Sequence, residues 1–254
     1  GIGPLKNPTL RKVLADVAQR ATVVGLREGL YSPKLLKDLG VSNPRVVTTG
    51  DDAIELALKY AEMPVRNSIG INIRVAPYSG ITEDVAMKIL QSVEYARQQV
   101  DCSLIAVPIS WNAGDSDVST LSFIEPNLSL DKPWSTQELV DRTSECRVMI
   151  TASYHAAVFA LSQGCPVIAM VGSGYYDGKM KGLAKQFNCN DSSLRLMTPE
   201  QLCDPQQTTL AISELSQSID DVACELQGRA RDQSALSQSL FEEFLIKAQA
   251  PMNR

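Results

Sequence analysis

The sequence predicts an α/β protein built on Rossmann-like parallel sheets, and three features predict it. Short apolar runs recur through the first two thirds of the chain, each separated from the next by a stretch with helical periodicity. The turns that follow these runs hold Gly, Asp and Ser, residues that suit the passage from a strand into a helix. No apolar run approaches the roughly 20 residues of a membrane-spanning helix, so the 44% of hydrophobic residues must be buried in a packed core.

Taken in order, the periodicity predicts a helix over Pro8–Arg20, a strand over Thr22–Leu26, a helix over Ser32–Leu39 and a strand over Arg45–Thr49. Asp51 is placed to cap a helix running to about Ala61. Pro64 and Asn67 interrupt the pattern, and a domain boundary is expected there. The alternation then resumes with a strand over Ser68–Val75, a helix over Thr82–Gln99, a strand over Ser103–Ile109, a helix over Ser135–Ser144 and a strand over Arg147–Thr151. An Ala-rich helix from Tyr154 to Gln163 ends at Gly164, a left-handed cap, before a strand over Pro166–Val171. A loop over Gly172–Gly178 leads into helix up to Phe187, and Pro205–Ala248 reads as amphipathic helix. The domain plan that follows is 1–64, the C-terminal part of a first Rossmann-like domain; 65–204, a second; and 205–254, a C-terminal helical segment.

Composition excludes several functions. A net charge of -5 with no long basic stretch argues against nucleic acid as a partner. The six cysteines are scattered without a CxxC pair, and one histidine serves the whole chain, so no metal site is indicated. They read as reduced thiols of a soluble, cytoplasmic protein with no transmembrane segment. Because residue 1 is Gly and helix begins almost at once, the sequence is expected to start downstream of its natural beginning.

In doubly wound sheets, ligands bind beyond the C-terminal strand ends, so the candidate residues are sought there. Thr151-Ala152-Ser153-Tyr154-His155 passes from a strand into a helix. Its unpaired N–H groups favour an anion, and His155 can donate or accept a proton near neutrality. A histidine that only caps the helix or packs beneath it is the other reading, and both stand on sequence alone. Arg74 ends the strand Ser68–Val75, where it serves either as a two-pronged grip on a carboxylate or phosphate or as an interdomain salt bridge. Gly174 and Gly178 would let the backbone turn closely round a ligand, with Lys179 as a point charge; a surface turn with a solvated lysine is the alternative. Asp51 reads first as an N-cap, and Asp52 favours the positive end of the helix dipole. One of the two is the candidate to accept a proton from a substrate hydroxyl. Arg27 and Glu28 read as a structural ion pair.

The ordered set Gly1-Ile2-Gly3-Pro4-Leu5, Gly25-Leu26-Arg27-Glu28 with Ser32 and Leu39-Gly40-Val41, then Thr49-Gly50-Asp51-Asp52-Ala53, resembles the polysaccharide pyruvyl transferase family. Gly70-Ile71-Asn72-Ile73-Arg74, Ser153-Tyr154-His155-Ala156, Gly164-Cys165-Pro166-Val167-Ile168 and Tyr176 with Lys179 continue the likeness through residue 187. The resemblance implies a GT-B-like two-domain architecture, here with its first domain incomplete, and a C-terminal helix that returns to the first domain. It also implies a transferase of exopolysaccharide biosynthesis that moves a pyruvyl group from phosphoenolpyruvate onto two hydroxyls of a sugar or glycan acceptor as a ketal. Phosphoenolpyruvate would be a donor substrate, with no cofactor. On this likeness His155 is the acid, Arg74 holds the donor carboxylate or phosphate and Lys179 is a secondary anion contact; Ser153 with the helix start is read as a neutral anion contact, and Tyr154 and Asp52 as further substrate-binding residues. Ser153 stands where the family often carries arginine, which removes a charge from that site. A GT-B glycosyltransferase using a nucleotide-sugar and a non-catalytic binding protein of the same fold are the alternatives.

Overall fold

Strands separated by helices cannot pair as hairpins, so such a chain builds parallel sheets through crossovers. The structure, a computed structural model, describes residues 5–59, 66–76, 79–112 and 116–249. Residues 1–4 of the opening motif, the helix end expected at Ala61 and the boundary expected at Pro64 lie outside the described residues.

The first part contains α1 (Pro8–Arg20), β1 (Val24–Leu26), α2 (Tyr31–Asp38), β2 (Val46–Thr48) and α3 (Ala53–Lys59). Asn7 starts α1 by accepting the N–H groups of Thr9 and Leu10, and Pro8 fills the first helical position, where its missing N–H costs nothing. β1 and β2 pair in parallel, Val24 opposite Val46. Ala18, Leu26 and Leu36 form a small core beside them.

The second sheet contains β3 (Ser68–Asn72), β4 (Ser103–Ala106), β5 (Cys146–Thr151), β6 (Val167–Met170) and β7 (Leu194–Met197), all parallel, in the order β4-β3-β5-β6-β7. Its helices are α4 (Glu83–Val100), α5 (Val118–Leu121), α6 (Thr136–Ser144), α7 (Tyr154–Ser162), α8 (Gly174–Phe187), α9 (Pro199–Leu202) and α10 (Pro205–Gln249). Strand alternation divides the interior in two. Ile69, Ile71, Val148 and Ile150 face α4, α9 and α10, while Met149, Val167 and Ala169 face α7 and α8. The chain leaves β3 toward β4 and returns on the other side of β3 as β5. That reversal makes the β3/β5 ends a topological switch point.

α10 spans 45 residues, or roughly 67 Å at 1.5 Å per residue. Ile212 and Leu215 pack on the β3–β7 sheet, and Leu226 and Ala230 join the second core. Farther on, Gln233 lies over Gly50, Leu240 lies near Gly25, and Glu243 pairs with Arg45. The helix therefore bridges to the β1–β2 sheet. Two left-handed glycines make this approach possible. Gly50 has φ 90 and Gly164 has φ 79. A Cβ on Gly50 would collide with Gln233, and one on Gly164 would stand 2.8 Å from the Ala223 carbonyl oxygen.

Several expectations need correction. The strand expected over Ser68–Val75 ends at Asn72, so Arg74 lies beyond the ladder. The strand expected to Ile109 ends at Ala106; Pro108 has no N–H, and the N–H groups of Ile109 and Ser110 turn to the Asp117 carboxylate. The expected loop Gly172–Gly178 is mostly helix, since α8 starts at Gly174. Gly178 and Gly182 form a bare stripe on α8 that receives the Tyr31 ring and the Glu28 carboxylate from the first part. Gly178 thus serves packing rather than a turn about a ligand. β7, α5 and α9 were not anticipated.

Candidate functional site

β3 and β5 deliver the candidate residues to one edge of the sheet. In-register pairing sets Asn72 opposite Thr151, and Arg74 and Ser153 follow each by two residues. A buried polar chain joins the two turns. The Ser153 N–H donates to Thr151 Oγ1 at 2.8 Å, and that hydroxyl donates to Asn72 Oδ1 at 3.2 Å. Asn72 Nδ2 donates to Asp117 Oδ2 at 2.8 Å. Asp117, fully buried, also accepts the N–H groups of Ile109 and Ser110 at 2.7 and 2.9 Å. Arg74 completes the set, with Nε 2.7 Å from Asp117 Oδ1 and Nη2 3.3 Å from Oδ2. Arg74 is therefore ion-paired, but within its own sheet rather than across domains. Asp117, which carries this arrangement, gave no sequence signal, because a lone Asp in a Ser-rich loop looks like any turn residue.

His155 opens α7. Its side chain is 49% exposed, so it does not serve as packing. Its Nε2 lies 3.9 Å from Asp51 Oδ2, and the same oxygen lies 3.6 Å from Arg27 Nη1. Asp51 Oδ1 accepts the Ala53 N–H at 3.0 Å, the expected cap of α3. Arg27 does not pair with Glu28. Its guanidinium lies 4.4 Å over the Tyr154 ring, whereas Glu28 accepts the N–H groups of Leu30, Tyr31 and Ser32 and caps α2. Tyr154 is buried, and its hydroxyl donates to the Arg27 carbonyl at 3.4 Å. Burial, with Asp51 nearby, pushes its phenol well above the ordinary range, so it stays protonated. Lys179 on α8 lies 4.1 Å over the Tyr175 ring.

These surroundings act on the histidine in opposing directions. Burial lowers the His155 pKa, Asp51 raises it, and Arg27 and Lys179 lower it; the sum falls below the usual imidazole value. The ring is thus mainly neutral at pH 7. Its neighbourhood is cationic apart from Asp51, and an anion bound there would favour protonation.

Beside this cluster is a cleft of about 680 Å³ that contains Gly25, Arg27, Gly50, Asp51, Asp52 and Phe241 in its walls. Asp52 is exposed in it and accepts a hydrogen bond from Ser237 of α10 at 3.0 Å. Of the sequence candidates, His155 and Tyr154 share one cluster with Asp51 and Arg27, Asp52 lies on the adjoining cleft wall, and Arg74 belongs to the Asp117 network. Ser153 sits where that network meets α7, and its hydroxyl makes no cap bond. Among the described residues no group of three His, Cys, Asp or Glu side chains is arranged to hold a metal ion. No described helix is long and apolar enough to cross a membrane.

Comparison with known proteins gives one family. The model of the polysaccharide pyruvyl transferases matches residues 1–174. No curated protein matches the chain. Among solved structures, a candidate UDP-N-acetylglucosamine 2-epimerase from Listeria monocytogenes superposes with a TM-score of 0.57 at 14% identity, over 94% of this chain and 64% of that one. The glycotransferase of kitacinnamycin has a TM-score of 0.49 at 17% identity, over 75% of this chain and 45% of that one. The chain thus spans less than two thirds of either structure. The first likeness establishes a shared α/β fold of the GT-B type and nothing about chemistry.

Proposed function

The chain belongs to the polysaccharide pyruvyl transferase family, and we propose that it moves the pyruvyl group of phosphoenolpyruvate onto two hydroxyls of a sugar as a cyclic ketal. The observation that supports this reading best is the half-exposed His155 in the first turn of α7, beside the helix's first N–H groups and with Arg27 and Lys179 acting on it as cations. That is the equipment the reaction needs. Protonation of the donor's methylene carbon leaves an oxocarbenium-like carbon beside the carboxylate. One sugar hydroxyl adds there, phosphate departs with cleavage of its C–O bond, and the second hydroxyl closes the ketal. Of the two hydroxyl protons, one balances the new methyl group and the other leaves with phosphate.

In this reading His155 is the acid. It is mainly neutral in the free protein, and the arriving donor anions raise its proton affinity, so the proton is taken up as the donor binds. The α7 N–H groups and the Ser153 hydroxyl receive the phosphate through neutral hydrogen bonds, weaker than the charged contact an arginine would make. Lys179 adds a charge on the α8 side. Arg74, set in orientation by Asp117, faces the donor carboxylate. Tyr154 contributes indirectly by holding Arg27 against its ring. The acceptor sugar occupies the cleft walled by Asp52 and Phe241, where Asp52 meets a hydroxyl. Cell-surface glycan assembly and a cytoplasmic site of action follow as parts of the same proposal.

Calorimetric titration with phosphoenolpyruvate, and separately with nucleotide-sugars, tests it. Phosphoenolpyruvate binding that is lost in Arg74→Ala, together with phosphate release over a sugar acceptor that is lost in His155→Ala, is the expected result. Binding of nucleotide-sugar alone would overturn the donor assignment.

A further inference from the structure

The geometry points to Asp51 as the positioning residue for His155: the two are N-terminal residues of packed helices, and we infer that Asp51 orients the imidazole and favours its protonated form during proton transfer. The inference rests on the reading of His155 as the proton-transferring group and adds a partner from the other sheet.

Three observations carry it. First, Asp51 is fixed more tightly than a cap alone requires. Oδ1 is tied to the Ala53 N–H at 3.0 Å, Oδ2 lies between Arg27 Nη1 at 3.6 Å and His155 Nε2 at 3.9 Å, and the side chain is only 10% exposed. Second, α3 and α7 are held together by buried apolar contacts. Ala57 and Phe159 share one cluster, and Ile54 joins the core that includes Tyr154 and Ala157. The two helix starts therefore keep their separation. Third, among the described residues the other charged groups acting on the ring are cationic: Arg27 after β1 and Lys179 on α8, while the Tyr154 phenol is held neutral. Among the described residues Asp51 is the one charge near the imidazole that favours the proton. With Nε2 turned toward Asp51, Nδ1 is the nitrogen left to meet a substrate.

Capping and charge can be separated, because Asn caps a helix about as well as Asp and Ser is close behind. His155 is the sole histidine of the chain, so one imidazole resonance in an NMR titration of the intact protein reports it directly, without donor or acceptor. In Asp51→Asn the midpoint of that resonance should move to lower pH by about 0.8 units, the effect of one charge at this separation through water. Lys179→Met should move it the opposite way. An unmoved midpoint in Asp51→Asn, or in Asp51→Ser if the first variant folds poorly, would overturn the inference.

The second arm follows phosphate release against pH. With His155 as acid, the rate falls as pH rises past its midpoint. In Asp51→Asn that fall should shift to lower pH, with kcat reduced and the donor KM little changed. A titration that moves while the rate profile stays fixed would remove Asp51 from the reaction. If no donor releases phosphate, the functional reading fails, and the titration alone still decides whether Asp51 governs the histidine.

Discussion

Replacing Asp117 with Asn should destabilise the protein by about 3 kcal/mol, although the change is close to isosteric. Asp117 Oδ2 accepts from Asn72 Nδ2, the Ile109 and Ser110 N–H groups and Arg74 Nη2, while Oδ1 accepts from Arg74 Nε. An amide has one acceptor and one donor end. With its oxygen toward the group of four, its NH2 faces Arg74 Nε; reversed, it faces the other donors. One buried donor left facing a donor costs about 1–3 kcal/mol, and more when charged. The partly buried guanidinium, 19% exposed, also loses its counter-charge, and breaking a fully buried pair costs roughly 3–5 kcal/mol when one partner is removed outright. Retention of one oxygen places the Asn variant near the overlap of these ranges. Such a change raises the unfolded-to-folded ratio about 160-fold at 1.36 kcal/mol per decade. With a urea slope of about 2.5 kcal/mol/M, the midpoint falls by about 1.2 M. Urea unfolding followed by far-UV circular dichroism measures this. In the double variant Arg74→Met, Asp117→Asn, the cost should be smaller than the two single costs added, since no charge is then left without its partner. A loss below about 0.5 kcal/mol with unchanged slope would refute the claim that Asp117 holds together the ends of β3 and β4.

Two further predictions concern stability. Gly164→Ala forces a left-handed residue to carry a Cβ 2.8 Å from the Ala223 carbonyl oxygen on α10. A loss of about 2 kcal/mol or more, read as a lower urea midpoint, is expected, because the backbone penalty alone is roughly 1–2 kcal/mol. Glu28 is subject to burial, which alone would raise its pKa, but the Ser32 side chain and the N–H groups of Leu30, Tyr31 and Ser32 outweigh it and hold the carboxyl below its usual value. The folded protein then binds fewer protons at this site than the unfolded chain. Its contribution is complete above the unfolded value near 4.5 and is lost as pH falls through the lower folded value. The Tm difference between the protein and Glu28→Gln should therefore be largest near neutrality and shrink in acid; a constant difference would contradict the cap assignment.

The element pattern was legible in the sequence because helix and strand periodicities are local. α1 has the bounds its periodicity predicts, and the cap assigned to Gly164 from its place after an apolar helix is left-handed. Strand ends were less legible. Asn72 and Arg74 belong to one apolar run, yet only Asn72 is in the ladder, since pairing depends on the neighbouring strand. The 174–178 stretch resembled a loop because two glycines and an Asp are turn residues by type. Its helix is stabilised by packing against Tyr31 and Glu28, which lie far away in the chain.

The sequence by itself determined the parallel α/β class, the family and the placing of Arg74 and His155 in the turns that follow β3 and β5, all of which follow from order and local pattern. Only the tertiary structure decided the company those residues keep. It gave Arg74 to Asp117, took Arg27 from its neighbour Glu28 and set it against Asp51 and Tyr154, and brought Asp51 within 3.9 Å of His155. A charge interacts with whatever the fold brings within a few ångströms, and in a sheet assembled by crossovers those neighbours are remote in sequence.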